Sequence, residues 1–347
     1  SSPAVFSLLL LIVLVFYLFF DAPSTPEIYT LSLHDALPIC LDERAWVLHR
    51  QGKIAFHISG IGHEAAQVGA AFALKRGEDW VTPYYRDLAL MLSLGLSPAE
   101  FMISLMGKAG EPSSGSRQMP SHFSLRKVNA VSHSAPVATQ AVHAAGIGLA
   151  IKIKKEKKVV LTTIGEGSTS QGEWYEAVNW AAVHQLPVIF LVQNNQYAIS
   201  VPPEMQMAVK SSADKACGLG LPGQTIDGTD VFAVYETISE LVEAAREGKG
   251  PALVEAKMYR ITPHSSDDDD RTYRSREEVE ENKKHDPLLL IQNKLLEEGI
   301  YTEKDLEELD QKAKQMVTDA VKIAEDAPYP AAEEAAYPVY AEEVPNA

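Results

Sequence analysis

Apolar and polar positions follow two patterns along this chain, and the clearest case of each lies near its middle. VVLTTI (159–164) and LPVIFLVQ (186–193) are nearly unbroken apolar or β-branched runs of strand length, as expected of strands buried on both faces. Between them GEWYEAVNWAAVHQL (172–186) repeats its apolar residues at helical spacing. Together they predict a βαβ unit. Such a crossover is right-handed almost without exception, so the carboxyl ends of both strands reach one edge of a parallel sheet, where α/β proteins bind ligands.

The alternation continues in both directions without internal repeats or a clear linker. HEAAQVGAAFAL (63–74) reads as a small-residue helix, WVTPYYR (80–86) as a short strand running into a loop, and SPAEFMISLMG (97–107) as a helix capped by Ser97 ahead of Pro98. TQAVHAAGIGLAIKI (139–153) has the Ala and Gly content of a helix packed closely on a sheet, and KKEKK (154–158) reads as its solvated end. KAGEPSSGSRQMPSHFS (108–124) is a long Gly-, Ser- and Pro-rich connection of the functional or mobile kind. The expected fold class is α/β, a mostly parallel sheet with helices on both faces, then extra C-terminal helices in the charged stretch 276–327 and a Pro-, Ala- and Glu-rich tail.

The start of the chain breaks the pattern. SLLLLIVLVFYLFF (7–20) is shorter than the ~20 residues a bilayer span needs, and no Lys or Arg precedes Arg44 to make the cationic start of a secretory signal. EIYTLSLHDALPI (27–39) resembles the conceptual translation of a sequencing-adapter oligonucleotide. Residues 1–40 are therefore expected to be foreign, with the protein's own sequence starting near Leu41; the alternative is a membrane anchor. Residues 41–275 are expected to form one α/β domain, with 276–347 as its helical region and tail.

Composition narrows the class. With 347 residues, 46% apolar and 22% charged, the chain can bury a large core. A net charge of −16 sets nucleic acid aside. Cys40 and Cys217 make no CxxC pair or His/Cys cluster, so neither a disulfide framework nor a zinc site is indicated, which suits a reducing, cytoplasmic setting.

The chemistry concentrates in LTTIGEGSTSQGEW (161–174). Glu166 stands at the tip of the first strand of the βαβ unit and Asn194-Asn195 at the tip of the second, so they can face one small volume. Gly165 and Gly167 are expected to allow a tight turn and close approach of a ligand. The helix starting near Gly172 is expected to aim free N–H groups at the same edge, favouring a phosphate. A carboxylate and an amide oxygen beside a phosphate are ligands that Mg²⁺ prefers. The bland alternative is an ordinary strand-to-helix turn.

GEG followed downstream by two asparagines resembles the thiamine-diphosphate motif of decarboxylating 2-oxoacid dehydrogenases. GHEAAQVGAA (62–71), PYYRD (83–87), RQMPSHF (117–123), SAPVATQ (134–140) and YRITPHSSDDDDRTYRS (259–275) resemble, in the family's order, blocks of the alpha subunit of the branched-chain, bacterial-type decarboxylating component. The likeness covers 41–340 and implies the thiamine-diphosphate-binding fold. It implies that Glu166, Asn195 and the Tyr197 carbonyl hold Mg²⁺, that Tyr85, Arg86, Val137, Gly165, Gly167, Arg260 and His264 bind the cofactor, and that His264 and, ranked below it, His122 are catalytic. In some relatives the SAPVATQ loop holds K⁺, which would involve Ser134, Pro136, Thr139 and Gln140 here. Ala135 stands where relatives often have serine, and Gln193 where animal homologues carry a diphosphate-binding arginine. Ser265 and Ser275 match phosphorylated serines of mitochondrial relatives, although nothing in the sequence implies a kinase.

The implied reaction is oxidative decarboxylation of a branched-chain 2-oxo acid with transfer of the acyl group to a lipoyl group on an acyltransferase component. The implied assembly is an α2β2 heterotetramer, whose beta subunit brings the carboxylate that protonates the aminopyrimidine, so the alpha chain alone is expected to be inactive. No membrane or nucleic-acid partner is expected. The alternatives are a pyruvate or acetoin dehydrogenase alpha subunit, a NAD-binding Rossmann dehydrogenase, which lacks its GxGxxG here, and a membrane-tethered scaffold.

Overall fold

A computed structural model describes residues 25–336, with side chains from Ala36 onward; the apolar run at 7–20 lies outside the described residues. Its frame is a five-stranded, wholly parallel sheet: β1 (Trp80–Thr82), β2 (Val160–Gly165), β3 (Val188–Asn194), β4 (Gly223–Asp227) and β5 (Ala252–Lys257), in the order β1-β2-β3-β5-β4. The helices, in chain order, are α1 (Thr25–Arg50), α2 (Glu64–Phe72), α3 (Leu88–Leu94), α4 (Pro98–Leu105), α5 (Thr139–Lys154), α6 (Gly172–Val183), α7 (Pro203–Gln206), α8 (Lys215–Leu219), α9 (Val231–Arg246), α10 (Arg276–Asn282), α11 (Pro287–Glu297) and α12 (Glu303–Asp326).

Both sheet faces are covered, which is why the central strands show no alternation. Val160, Ile164, Val188, Phe190 and Val192 point to one side and meet α5 and α6, where Trp174 is fully buried. Leu161, Ile189, Leu191, Val254 and Ala256 point to the other and meet Val234, Ile238 and Val242 of α9. The small residues of α5 are explained by proximity: a Cβ on Gly148 would lie 2.7 Å from Val188. Ser97 caps α4 in a full capping box with Glu100. The charged C-terminal stretch hides an apolar stripe. Ala313, Val317, Ala320, Val321 and Ala324 of α12 join the same core as Leu37, Leu41, Ala45 and Leu48 of α1. Ala36 and Leu37, inside the segment expected to be foreign, are thus buried.

The expected βαβ unit forms in register, with Val160 beside Val188 and Gly165 beside Gln193. Edge strand β4 and the amphipathic α9 lie beyond what the apolar runs indicate, whereas β5 falls in the apolar segment PALVEAKMY (251–259), which is expected to run to the sheet edge ahead of Arg260. Four loops leave the carboxyl edge together: 83–87 after β1, 166–171 after β2, 195–202 after β3 and 258–275 after β5.

Candidate active site

These loops, with the segments that carry Ile58, His122 and Val137, line a cavity of about 430 Å³. Its wall includes Tyr85, Arg86, His122, Val137, Gly165, Glu166, Gly167, Asn195, Tyr197 and His264, ten of the residues singled out in the sequence. Arg260, Ser134, Pro136, Thr139 and Gln140 are not on it.

Glu166 and Asn195 come together as the sheet register requires. Glu166 Oε2 accepts the backbone N–H of Asn195 at 3.3 Å, while Oε1 is buried without a partner. Burial raises the Glu166 pKa, opposed by that N–H and by Arg260 and Arg86. Asn195 Oδ1 accepts from the Tyr197 N–H at 3.2 Å, and its Nδ2 lies 3.0 Å from His63 Nε2. Arg260, fully buried, donates to the carbonyls of Tyr197 at 3.1 Å and Ile199 at 2.7 Å and contacts the Tyr273 hydroxyl at 2.8 Å. It clamps the loop behind the cavity.

Arg86 is the buried cation on the wall. Its Nη1 donates to the Ser59 carbonyl at 2.7 Å, and Nη2 faces His264 Nδ1 at 2.8 Å and the His264 carbonyl at 3.1 Å. A guanidinium can only donate, so His264 Nδ1 accepts and the ring proton sits on Nε2. Burial, then Arg86 and Arg260, push His264 down to about 3, so the ring is neutral at physiological pH. In His122 it is Nδ1 that carries a proton, 3.2 Å from the Pro120 carbonyl, which only accepts. The neutral form of His122 therefore accepts at Nε2, where His264 donates.

The two glycines act differently from the expected tight turn, since neither has a positive φ. A Cβ on Gly167 would meet Ala198 Cβ at 2.7 Å, so this glycine allows two loops to touch. A Cβ on Gly165, which itself lines the cavity, would make only an ordinary contact with Tyr84, at 3.8 Å. Gly165→Ala should leave the unfolding free energy of the ligand-free chain within about ±0.5 kcal/mol of wild type, yet weaken binding of any ligand that fills the cavity. Parallel melting and binding titrations check this. The helix does start at Gly172, but a 3₁₀ turn, Glu166–Ser170, stands between it and the strand tip, and Gly167 and Ser168 of that turn line the cavity.

Gln193 is fully buried and is not on the cavity wall. It donates to Asp87 at 2.7 Å and accepts from Gln67 at 3.0 Å; Thr163 also donates to Asp87. Burial raises the Asp87 pKa from 3.8 to about 7. The folded chain holds this proton longer than the unfolded chain, so Asp87 makes stability fall as pH rises from 3.8 to about 7, and adds no slope above. In unfolding titrations the stability of Asp87→Asn relative to wild type should therefore rise across that window.

In the SAPVATQ loop, Gln140 donates to the Thr163 carbonyl at 3.1 Å and keeps a buried, unpartnered Oε1, whereas the Thr139 hydroxyl donates to Glu173 at 2.6 Å. Pro136 is exposed, and Ser134 lines an adjoining cavity with His133 and His143. Ser265 is buried and Ser275 caps α10. The sequence reading does not single out Tyr84, whose buried hydroxyl is unpartnered and whose side chain lines the cavity, or His63. Both lie inside quoted blocks, but only tertiary contacts show what they face.

Among the described residues no group of three or more His, Cys, Asp and Glu is arranged to hold a metal, and no helix is long and apolar enough to cross a membrane. The oxygens of Glu166, Asn195 and Tyr197 are a different kind of donor set, one carboxylate with neutral oxygens. Fold and site define an α/β protein whose cavity, at the carboxyl edge of a parallel sheet, sets the buried polar side chains of Glu166, Arg86 and Asn195 beside apolar ones. The chain matches the model of the Dehydrogenase E1 component family over residues 35–333 and belongs to that family. It is 50% identical over 301 residues to "2-oxoisovalerate dehydrogenase subunit alpha" of Bacillus subtilis, covering 87% of this chain and 91% of that protein. It is 38% identical over 306 residues to "3-methyl-2-oxobutanoate dehydrogenase subunit alpha" of Mycobacterium tuberculosis (88% and 80% covered). It is 36% identical over 287 residues to "Pyruvate dehydrogenase E1 component subunit alpha" of Staphylococcus aureus (82% and 75%).

Proposed function

We propose that this chain is the thiamine-diphosphate-binding alpha subunit of a bacterial, cytoplasmic branched-chain 2-oxoacid dehydrogenase, working with a beta subunit and a lipoylated acyltransferase. One observation carries the reading: the buried, unpartnered Glu166 Oε1 at the cavity wall, beside Asn195 and Tyr197. An orphaned carboxylate oxygen is costly, and a divalent cation removes the cost. Glu166, Asn195 Oδ1 and the Tyr197 carbonyl would hold Mg²⁺, each with a lone pair to spare. Arg86, the N–H groups of Gly167 and Ser168, and the space beside Gly165 would take the diphosphate.

Bound thiamine diphosphate supplies the electron sink for the pair left behind when CO₂ departs from a 2-oxo acid. The chain's own residues place and shield that chemistry. His264 presents a proton at Nε2, and His122 presents a lone pair at Nε2. Phe56, Ile58, Met119 and Ile199 give the wall an apolar side that suits a branched alkyl chain. Among the described residues Glu166 is the one carboxylate on this wall, and the beta subunit would bring the carboxylate that does acid–base work at the aminopyrimidine. Gln140 Oε1 is the best-placed oxygen for a K⁺ ion in the neighbouring loop.

Substrate choice is tested by reconstituting the chain with its native partner and assaying 3-methyl-2-oxobutanoate against pyruvate. A higher kcat/KM for the branched acid is expected. Preference for pyruvate would move the chain to the pyruvate-type reading.

A further inference from the structure

We infer that His63 is a positioning residue that fixes which end of the Asn195 amide faces the metal. The inference rests on the metal site proposed above. His63 is fully buried, does not line the cavity, and bridges two fixed points. Its Nδ1 lies 3.1 Å from the Gly60 carbonyl, which can only accept, so Nδ1 carries the proton and Nε2 offers a lone pair. That lone pair accepts from Asn195 Nδ2 at 3.0 Å.

The Gly60 carbonyl is itself anchored. Its residue's N–H donates to Asp42 at 2.7 Å, and a Cβ on Gly60 would stand 2.7 Å from the Arg86 carbonyl. The two ends of an asparagine amide have nearly the same shape, so shape alone does not choose between them. Turned over, the amide would set its oxygen against the His63 lone pair and its NH₂ against both the Tyr197 N–H and the cation. His63 therefore selects the orientation in which Oδ1 accepts from Tyr197, at 3.2 Å, and remains available for a metal. Outer-shell contacts of this kind change metal affinity by about 10–100-fold.

The test uses the full chain with its beta subunit, with Mn²⁺ as the probe, counted from the paramagnetic resonance of the free ion in the presence of thiamine diphosphate. His63→Met, which keeps length but offers no comparable acceptor, should weaken Mn²⁺ binding about 10–100-fold. His63→Gln, whose Oε1 can accept, should recover most of that loss. Unchanged binding in His63→Met, or equal loss in both variants at equal metal-free melting points, overturns the assignment. Absence of Mn²⁺ binding by the wild type would instead sink the metal-site reading itself. If His63→Met does not fold, ¹⁵N shifts of labelled histidines decide: His63 should be neutral and protonated at Nδ1, and a proton at Nε2 overturns the role.

Discussion

Glu166→Gln should abolish metal-dependent binding of thiamine diphosphate while leaving the ligand-free chain at least as stable as wild type. The two effects have one cause with opposite signs. Without a cation, burial raises the Glu166 pKa, so its charge is a burden on the folded state at neutral pH. An amide of the same shape removes that burden. With a cation, the same charge is the main attraction, and losing it should cost about 100-fold or more in affinity, beyond what outer-shell changes produce. Calorimetric titration and thermal melting of the same preparation read both effects. A variant that binds the cofactor normally, or that fails to fold, would contradict the assignment.

Arg86→Lys should be nearly as damaging as Arg86→Met. One guanidinium reaches the Ser59 carbonyl and both the ring and carbonyl of His264, and it still faces the cavity. A lysine ammonium cannot span the same fork. Removing the donor leaves buried neutral acceptors without a partner, at about 1–3 kcal/mol each. The expected loss in cofactor affinity is on the order of 100-fold or more. Losing the contact also frees His264 Nδ1, so the ring's tautomer is no longer imposed and the pH profile of turnover should change shape. The same loss should fall on thiamine diphosphate more than on thiamine, because Arg86 is assigned to the diphosphate. Equal weakening for both ligands would place Arg86 elsewhere.

The parts of this site that can be read in the sequence are those fixed by local pattern. Two buried strands joined by one helix determine that Glu166 and Asn195 share a sheet edge, and the register confirms it. What resists reading depends on packing. Strand β4 is largely exposed and carries no apolar run, so it exists as a strand only through its pairing with β5. The buried stripe of α12 is mostly alanine and valine set among charges, too weak a signal to separate from a solvated helix. The site shows the same limit. Arg260 and Arg86 look alike in sequence, yet one clamps the 195–199 loop from behind while the other reaches the cavity. Gln193 turns away to join Gln67 and Asp87. Gly165 and Gly167 look equivalent, but what surrounds each missing Cβ gives them separate tasks.

The most direct measurement is calorimetric titration of the wild-type chain, with its beta subunit, by thiamine diphosphate in the presence and in the absence of Mg²⁺. Binding should require the metal and should disappear in both Glu166→Gln and Asn195→Ala. Cofactor binding that is equally tight without a divalent ion, or that survives loss of both side chains, would contradict the account.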